Sequence, residues 1–98
     1  MLSIDEIIKI LNDNKSYIAS KFGIKEIGVF GSYVRNEQTK DSDLDVLVDF
    51  NDGFKTFDNY MDLKFYLEEL LSVKIDLVCK TSIKIRLKEY ILNEVLSV

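Results

Sequence analysis

The stretch that decides the fold runs from Gly28 to Phe50 and reads GVFGSYVRNEQTKDSDLDVLVDF. It opens within an apolar segment, Ile24–Phe30, which is predicted to be a strand. It closes with residues 43–50, where apolar side chains alternate with others, mostly acidic, at the period of two that is typical of a strand. Between these strands, residues 32–38 are predicted to form a brief helix and residues 39–42 a loop.

Three longer helices and a further strand are predicted outside this stretch. Ser3 has the spacing of a capping box at the start of the first helix, and Gly23 is suited to end it. A second helix is predicted from about Thr56 to Leu71, followed by a third strand over Lys74–Cys79. Ser82 is the expected N-cap of a last helix. The apolar side chains expected on the inner face of that helix are Ile83, Leu87, Tyr90, Ile91 and Val95. The order αβ(α)βαβα predicts an α+β fold in which helices cover a small sheet.

The composition bounds the kind of protein that this is. The chain has 98 residues, of which 47% are apolar, and its net charge at pH 7 is −4. This length predicts a single domain over residues 1–98 with a compact core. Without a basic tail, non-specific binding to duplex nucleic acid is not expected. No apolar stretch approaches the roughly 20 residues that span a bilayer, and the N-terminus lacks the pattern of a signal peptide, so we expect a cytoplasmic protein.

The cysteine and histidine counts exclude several kinds of site. Cys79 is the only cysteine, so the chain has no internal disulfide, and without histidine it has no Cys/His zinc site. Ser-His-Asp and Cys-His nucleophile systems are excluded as well, because their general base is missing. Any metal that the chain binds must therefore be a hard cation held by oxygen ligands.

Three aspartates are candidate ligands for such a cation. Asp43 and Asp45 are two residues apart on a predicted strand, so both carboxylates point to the same face. Asp76 joins them if the third strand is the neighbour of the second in register. Three carboxylates can hold two metal ions about 3.5–4 Å apart, the arrangement used in phosphoryl transfer. The alternative is that Asp43 and Asp45 are simply solvated, whereas Asp76 would need a partner if it were buried.

Gly31 and Ser32 follow the first strand and are candidates for binding phosphate. A glycine at this point lets the backbone approach a phosphate, whose oxygens can accept from the following N–H groups and the Ser32 hydroxyl. A Gly-Ser pair is also a common turn and carries little weight alone. Next to paired carboxylates, it fits the chemistry of a nucleoside triphosphate.

The same residues carry a resemblance to a known family. The motif consists of Gly31-Ser32, then Ser42-Asp43-Leu44-Asp45 and an apolar strand, and it resembles the GS-x(n)-[ST]-D-x-D signature of the DNA polymerase beta-like nucleotidyltransferases. In its short length and its sequence SDLDVLVDF, the chain is similar to the minimal nucleotidyltransferases, or MNT proteins. These proteins are usually encoded beside a HEPN-domain partner. The resemblance covers most of the chain. It implies a nucleotidyltransferase fold, like the palm of polymerase beta, with a mixed sheet.

The resemblance also implies a role for each residue of the motif. Asp43, Asp45 and Asp76 would be the catalytic and metal-binding carboxylates, with two Mg²⁺ ions, or Mn²⁺, as the cofactor. Asp76 would help to deprotonate or orient the attacking hydroxyl. ATP would be the substrate, with pyrophosphate leaving. The nucleotide-binding residues would be Gly31, Ser32, Arg35 and Ser42.

Two positions in the turn need separate mention. The family usually has glycine where this chain has Asn36; asparagine tolerates the left-handed conformation, so we expect the turn to survive. The guanidinium of Arg35 is equally suited to a phosphate and to a structural ion pair with an acid.

The partner and the acceptor follow from the resemblance alone. MNT-type relatives act as antitoxins that adenylylate a tyrosine of a HEPN toxin, and the same partner and a homo- or hetero-oligomer are expected here. One alternative is a non-catalytic module of the same fold that neutralises its partner by occlusion. Another is a nucleotidyltransferase subunit that acts on a small molecule held by a partner chain. A basic stretch near the last helix could serve a partner or ATP, although a solvated helix face is the simpler interpretation; it comprises Lys80, Lys84, Arg86 and Lys88.

Overall fold

A computed structural model describes residues 2–98 and confirms the α+β class. The elements in chain order are α1 (Ile4–Phe22), β1 (Ile24–Phe30), β2 (Leu44–Phe50), α2 (Phe57–Leu71), β3 (Ile75–Cys79), a 3₁₀ turn (Lys80–Ser82), α3 (Ile85–Glu94) and β4 (Leu96–Ser97). The three strands and three long helices expected from the sequence are present. Strand β4 was not predicted.

The four strands form one mixed sheet in the order β3-β2-β1-β4. Strand β1 runs antiparallel to β2, whereas β2 runs parallel to β3. Strand β4 pairs antiparallel with the other edge of β1, where Val29 faces Leu96 and Gly28 faces Ser97. The mixed sheet implied by the family resemblance is therefore confirmed.

Helix α1 has the ends that its sequence predicts. The hydroxyl of Ser3 accepts from the Glu6 N–H at 3.2 Å, and the Ser3 N–H donates to the Glu6 carboxylate at 3.0 Å. This capping box satisfies two N–H groups that a helix start leaves without partners. At the other end, Gly23 takes the left-handed conformation with φ of 64°. Helix α2 begins similarly, because the Thr56 hydroxyl accepts from the Asn59 N–H.

The core lies between α1, α2 and one face of the sheet. On β2, Leu44, Val46 and Val48 are fully buried, and they alternate with residues on the opposite face. The helices contribute a stripe at helical spacing to the same cluster: Ile7, Leu11, Ile18, Phe22, Leu63, Leu67 and Leu71. Because the period of a strand is two, Asp45 must lie on the face that these helices leave uncovered. Within residues 2–98, no helix is both long and apolar enough to cross a membrane.

The short helix predicted over residues 32–38 is wrong. The chain instead makes a tight turn over 32–36, in which the N–H groups of Val34 and Arg35 both donate to the Gly31 carbonyl. Asn36 then takes a left-handed φ of 57°, which ends the turn before a helix can continue. The expected tolerance of asparagine at this position is confirmed.

The predictions for the last helix are also wrong in two respects. Helix α3 begins at Ile85 after Lys84, so Ser82 belongs to the preceding 3₁₀ turn and is not the cap. The expected inner face is not buried: Tyr90 is 62% exposed, and no residue of α3 is buried. The core face of the sheet is already covered by α1 and α2. On the other face of the sheet, Leu47 of β2 and Leu92 of α3 border a cleft of about 270 Å³.

Candidate active site

The parallel pairing of β2 and β3 brings two acids together. Asp45 and Asp76 are partners in the register, so both carboxylates project from the face opposite the core. Asp45 is half-buried, whereas Asp76 is exposed. Because Asp76 is exposed, burial does not force a partner on it, and the register alone connects Asp76 with the motif.

The pKa of Asp45 shows that these acids interact. The pKa of the Asp45 carboxyl is raised from 3.8 to about 6, and burial is the largest cause. The charge of Asp76, a hydrogen bond between the two carboxyls and the charge of Asp43 raise that pKa as well, while Arg35 opposes them. Two carboxylates held this close disfavour each other's ionised form.

Asp43 does not lie on the same strand as Asp45, although the sequence predicts that it should. Strand β2 begins at Leu44, so Asp43 lies one residue before the strand and is exposed. Over residues 2–98, no three side chains of the cysteine, aspartate and glutamate types already surround a single metal position. The structure therefore has a close Asp45–Asp76 pair with the Asp43 charge nearby, rather than a complete three-carboxylate cage.

The chemistry of this cluster fits a divalent cation. The ligands are carboxylate oxygens, which suit Mg²⁺ and Mn²⁺, and neither metal requires an all-protein cage. A cation between Asp45 and Asp76 would favour the ionised carboxylate, which burial and the charge of Asp76 disfavour. Asp43 lies one residue before the strand, and its charge reaches Asp45; its role as a third ligand stays a prediction.

Gly31 is in direct contact with Asp45. Its φ of +83° favours glycine, and a Cβ atom built there would lie 1.9 Å from the Asp45 Oδ2 atom. Any larger residue would push the Asp45 carboxylate out of place. The glycine turn and the acid pair are thus one structural unit, with the half-buried Ser32 next to them.

Arg35 forms ion pairs in this structure. Its Nε atom donates to Glu37 at 2.8 Å, and its Nη1 atom donates to Glu94 at 2.7 Å. The Arg35 side chain is 42% exposed, which leaves it accessible from solvent. Of the two roles left open by the sequence, the ion pair is the one observed.

Glu94 is a residue of the site that the sequence did not reveal. Its Oε1 atom accepts from the Gly31 N–H at 2.6 Å as well as from Arg35. Gly31 and Glu94 are 63 residues apart in the chain, and they meet because β4 returns to β1. No local pattern marks this contact, since a two-residue strand has too few positions to show a period.

Ser42 supports the loop that precedes the acids. Its hydroxyl accepts from the Thr39 N–H at 2.9 Å, closing the turn before Asp43. This contact positions the loop. Nucleotide binding by Ser42 stays a prediction, as do the nucleotide-binding roles of Gly31, Ser32 and Arg35.

The fold and the site together define the class of protein. Paired aspartates on neighbouring parallel strands, beside a glycine turn, are suited to holding a divalent cation and a phosphate group side by side. Residues 4–98 match the family described as "Nucleotidyltransferase domain". The chain is also similar to the protein adenylyltransferase MntA of Thermococcus cleftensis, with 45% identity over 98 residues, covering 100% of this chain and 98% of the relative. The chain therefore belongs to the nucleotidyltransferase family.

Solved structures are similar over most of the chain. One described as a minimal nucleotidyltransferase has a TM-score of 0.76 and 34% identity, covering 93% of this chain and 95% of the other. A toxin–antitoxin structure with AMP-PNP has a TM-score of 0.69 and 27% identity, covering 98% and 72%. A complex of a tri-AMPylated HEPN toxin from Shewanella oneidensis with an MNT antitoxin has a TM-score of 0.59 and 25% identity, covering 95% and 66%.

Proposed function

We propose that this chain is a Mg²⁺-dependent protein adenylyltransferase that transfers AMP from ATP to a tyrosine hydroxyl of a HEPN toxin and so acts as its antitoxin. The observation that carries the proposal is the contact between Gly31 and Asp45, which is paired with Asp76, since it brings a turn suited to phosphate next to carboxylates suited to a metal ion. The names of the similar proteins agree with it: one is a protein adenylyltransferase, and another was solved with a tri-AMPylated HEPN toxin.

Each part of the site has a task in this reaction. Asp43, Asp45 and Asp76 would hold the Mg²⁺, which neutralises charge on the phosphates when it is bound. The Gly31 N–H, the Ser32 hydroxyl and Arg35 would bind phosphate oxygens, with Ser42 keeping the loop in place. This binding would hold the α-phosphorus in line with the attacking oxygen.

The chemical step is a single displacement. The tyrosine oxygen forms a bond to the α-phosphorus, and the bond from that phosphorus to pyrophosphate breaks. Asp76 is exposed beside Asp45 and would accept the proton of the hydroxyl. The products would be a partner tyrosine whose side-chain oxygen is joined to AMP as a phosphodiester, and free pyrophosphate, with no covalent intermediate on this chain.

The surface is compatible with a protein acceptor. On α3, Ile85 is 92% exposed and Tyr90 is 62% exposed, although both are large apolar or aromatic side chains. Helix α3 also provides Glu94, which contacts the glycine turn, so a protein that covers α3 would lie next to the site. These features support a protein partner over a free small molecule as the acceptor.

The experiment is intact-mass spectrometry of the HEPN partner after incubation with this chain, Mg²⁺ and ATP. The wild type should add AMP units to the partner, and Asp45→Asn should add none. Asp49→Asn is the matched control, because Asp49 is also half-buried and lies on the same face of β2. If the wild type formed a stable complex with the partner but added no AMP, the protein would act by occlusion and the proposal would fail.

A further inference from the structure

Glu94 is bound in the way that a phosphate oxygen is bound. One carboxylate oxygen, Oε1, accepts from a backbone N–H at 2.6 Å and from a guanidinium at 2.7 Å. Backbone N–H groups at glycine turns and arginine side chains are the usual donors to phosphate in proteins. The carboxylate is also shielded, since the Glu94 side chain is 13% exposed.

The position of Glu94 is fixed by strand β4. Gly28 faces Ser97 and Val29 faces Leu96, and the same register extended by two residues brings Glu94 opposite Gly31. The fit at Gly28 is close: a Cβ atom there would lie 2.8 Å from a methyl carbon of Val95. The register therefore places the Glu94 backbone opposite the glycine turn, where its carboxylate accepts from the Gly31 N–H.

The negative charges around Glu94 disfavour its contact with Gly31 and Arg35 when a nucleotide binds. Asp43, Asp45 and Asp76 already place negative charge near the turn, and Arg35 is the cation that offsets it at Asp45. A triphosphate brings further negative charge and, under the proposed function, needs the Gly31 N–H and Arg35. A carboxylate and a phosphate oxygen cannot share these donors without strong repulsion.

We infer that Glu94 is an internal competitor of the nucleotide: its carboxylate occupies the phosphate position in the nucleotide-free protein and must leave when the triphosphate binds. This inference rests on the proposed function, because it assumes that Gly31 and Arg35 bind the triphosphate. It assigns the end of α3 a role in setting the affinity for the substrate. The rival interpretation is that Glu94 is a support that orients Arg35 toward the phosphates.

The two interpretations predict opposite effects of Glu94→Gln. Glutamine keeps an acceptor oxygen for the Gly31 N–H but loses the charge that pairs with Arg35. If Glu94 competes, AMP-PNP with Mg²⁺ should bind about five- to tenfold more tightly to the variant, the difference between a charge-assisted and a neutral hydrogen bond. If Glu94 supports Arg35, binding should weaken.

The measurement is calorimetric titration of the wild type, Glu94→Gln and Glu89→Gln with AMP-PNP and Mg²⁺. Glu89 is the matched control, because it is an exposed glutamate on the same helix, and its variant should bind like the wild type. Unchanged or weaker binding by Glu94→Gln would overturn the inference. Failure of the wild type and both variants to bind AMP-PNP would instead overturn the proposed function.

A second measurement needs no variant and so does not depend on how Glu94→Gln folds. The ¹³C resonance of the Glu94 side-chain carboxyl should move toward that of an exposed glutamate when AMP-PNP saturates the wild type, with the Gly31 amide shifting in parallel. An unchanged Glu94 resonance with nucleotide bound would overturn the inference.

Discussion

Replacing Asp45 with asparagine should make the metal-free protein more stable while it destroys catalysis. Asp45 is half-buried, lies beside Asp76 and is within reach of the charge of Asp43, so its ionised form is disfavoured in the folded state. Asparagine has nearly the same shape, fits against Gly31, and its amide can donate to the Asp76 carboxylate. The substitution removes a repulsive charge without leaving a cavity.

The size of this gain in stability follows from the pKa of Asp45. The Asp45 pKa rises from 3.8 to about 6, or about 2 units, and each unit corresponds to about 1.36 kcal/mol, so the upper bound is about 3 kcal/mol. Because Asp45 is only half-buried, solvent screening reduces this to about 1–2 kcal/mol. For a domain of this size, the gain corresponds to an increase in Tm of about 5–10 °C.

The stability that Asp45→Asn gains over the wild type depends on pH. Between about pH 4 and pH 6 the folded state binds more protons at Asp45 than the unfolded state does, so the stability of the wild type falls as the pH rises. The advantage of Asp45→Asn should therefore be complete at pH 7.5 and should vanish below pH 4, where Asp45 is protonated in both states.

The assay is thermal unfolding by circular dichroism in EDTA, at pH 7.5 and again at the lowest pH at which the protein stays folded. Asp49→Asn serves as the control for removing a charge from the same face of β2, and it should not reproduce the gain. Mg²⁺ should raise the Tm of the wild type at pH 7.5 and have little effect on Asp45→Asn. The reasoning would be refuted if Asp45→Asn were less stable at pH 7.5, or if its advantage were the same at both pH values.

Three other substitutions test the contact of Gly31 with Asp45, the left-handed turn at Asn36 and the cap of α1 separately. Gly31→Ala should lower AMP transfer at least about 100-fold, because its Cβ would displace the Asp45 carboxylate. The control is Gly53→Ala, which has a similar φ and open space around it and should lose only about 1 kcal/mol of stability while keeping its activity. Equal losses of activity in the two variants would contradict the role of Gly31. Asn36→Gly should be neutral or stabilising and Asn36→Val should cost about 1–3 kcal/mol, as measured by urea unfolding; a Val variant as stable as the wild type would show that the left-handed turn is not required. Ser3→Ala should cost about 1 kcal/mol through loss of the capping box and leave the rate of transfer unchanged, so a reduced rate would mean that α1 reaches the site.

Much of the fold was predictable because its signals are local. The capping box at Ser3, the glycine that ends α1 and the alternation along β2 each follow from a few neighbouring residues. The pairing of Asp45 with Asp76 could be predicted only on the condition that β2 and β3 are neighbours, because register depends on the whole sheet. The structure fulfils that condition.

The end of the chain could not be predicted in the same way. The apolar spacing of α3 resembles that of a core helix, but α1 and α2 already occupy the buried face, so Ile85 and Tyr90 stay exposed. Strand β4 is too short to have a period, and the contact of Glu94 with Gly31 exists only through its pairing. Long-range pairing, and not local propensity, decides this part of the site.

The central claim is that the Asp45–Asp76 pair and the Gly31 turn transfer AMP to a protein. The most direct test is the intact mass of the HEPN partner after incubation with this chain, Mg²⁺ and ATP. We predict a mass gain in AMP units with the wild type and Asp49→Asn and none with Asp45→Asn. An unmodified partner in a stable complex with the wild-type chain would contradict the claim.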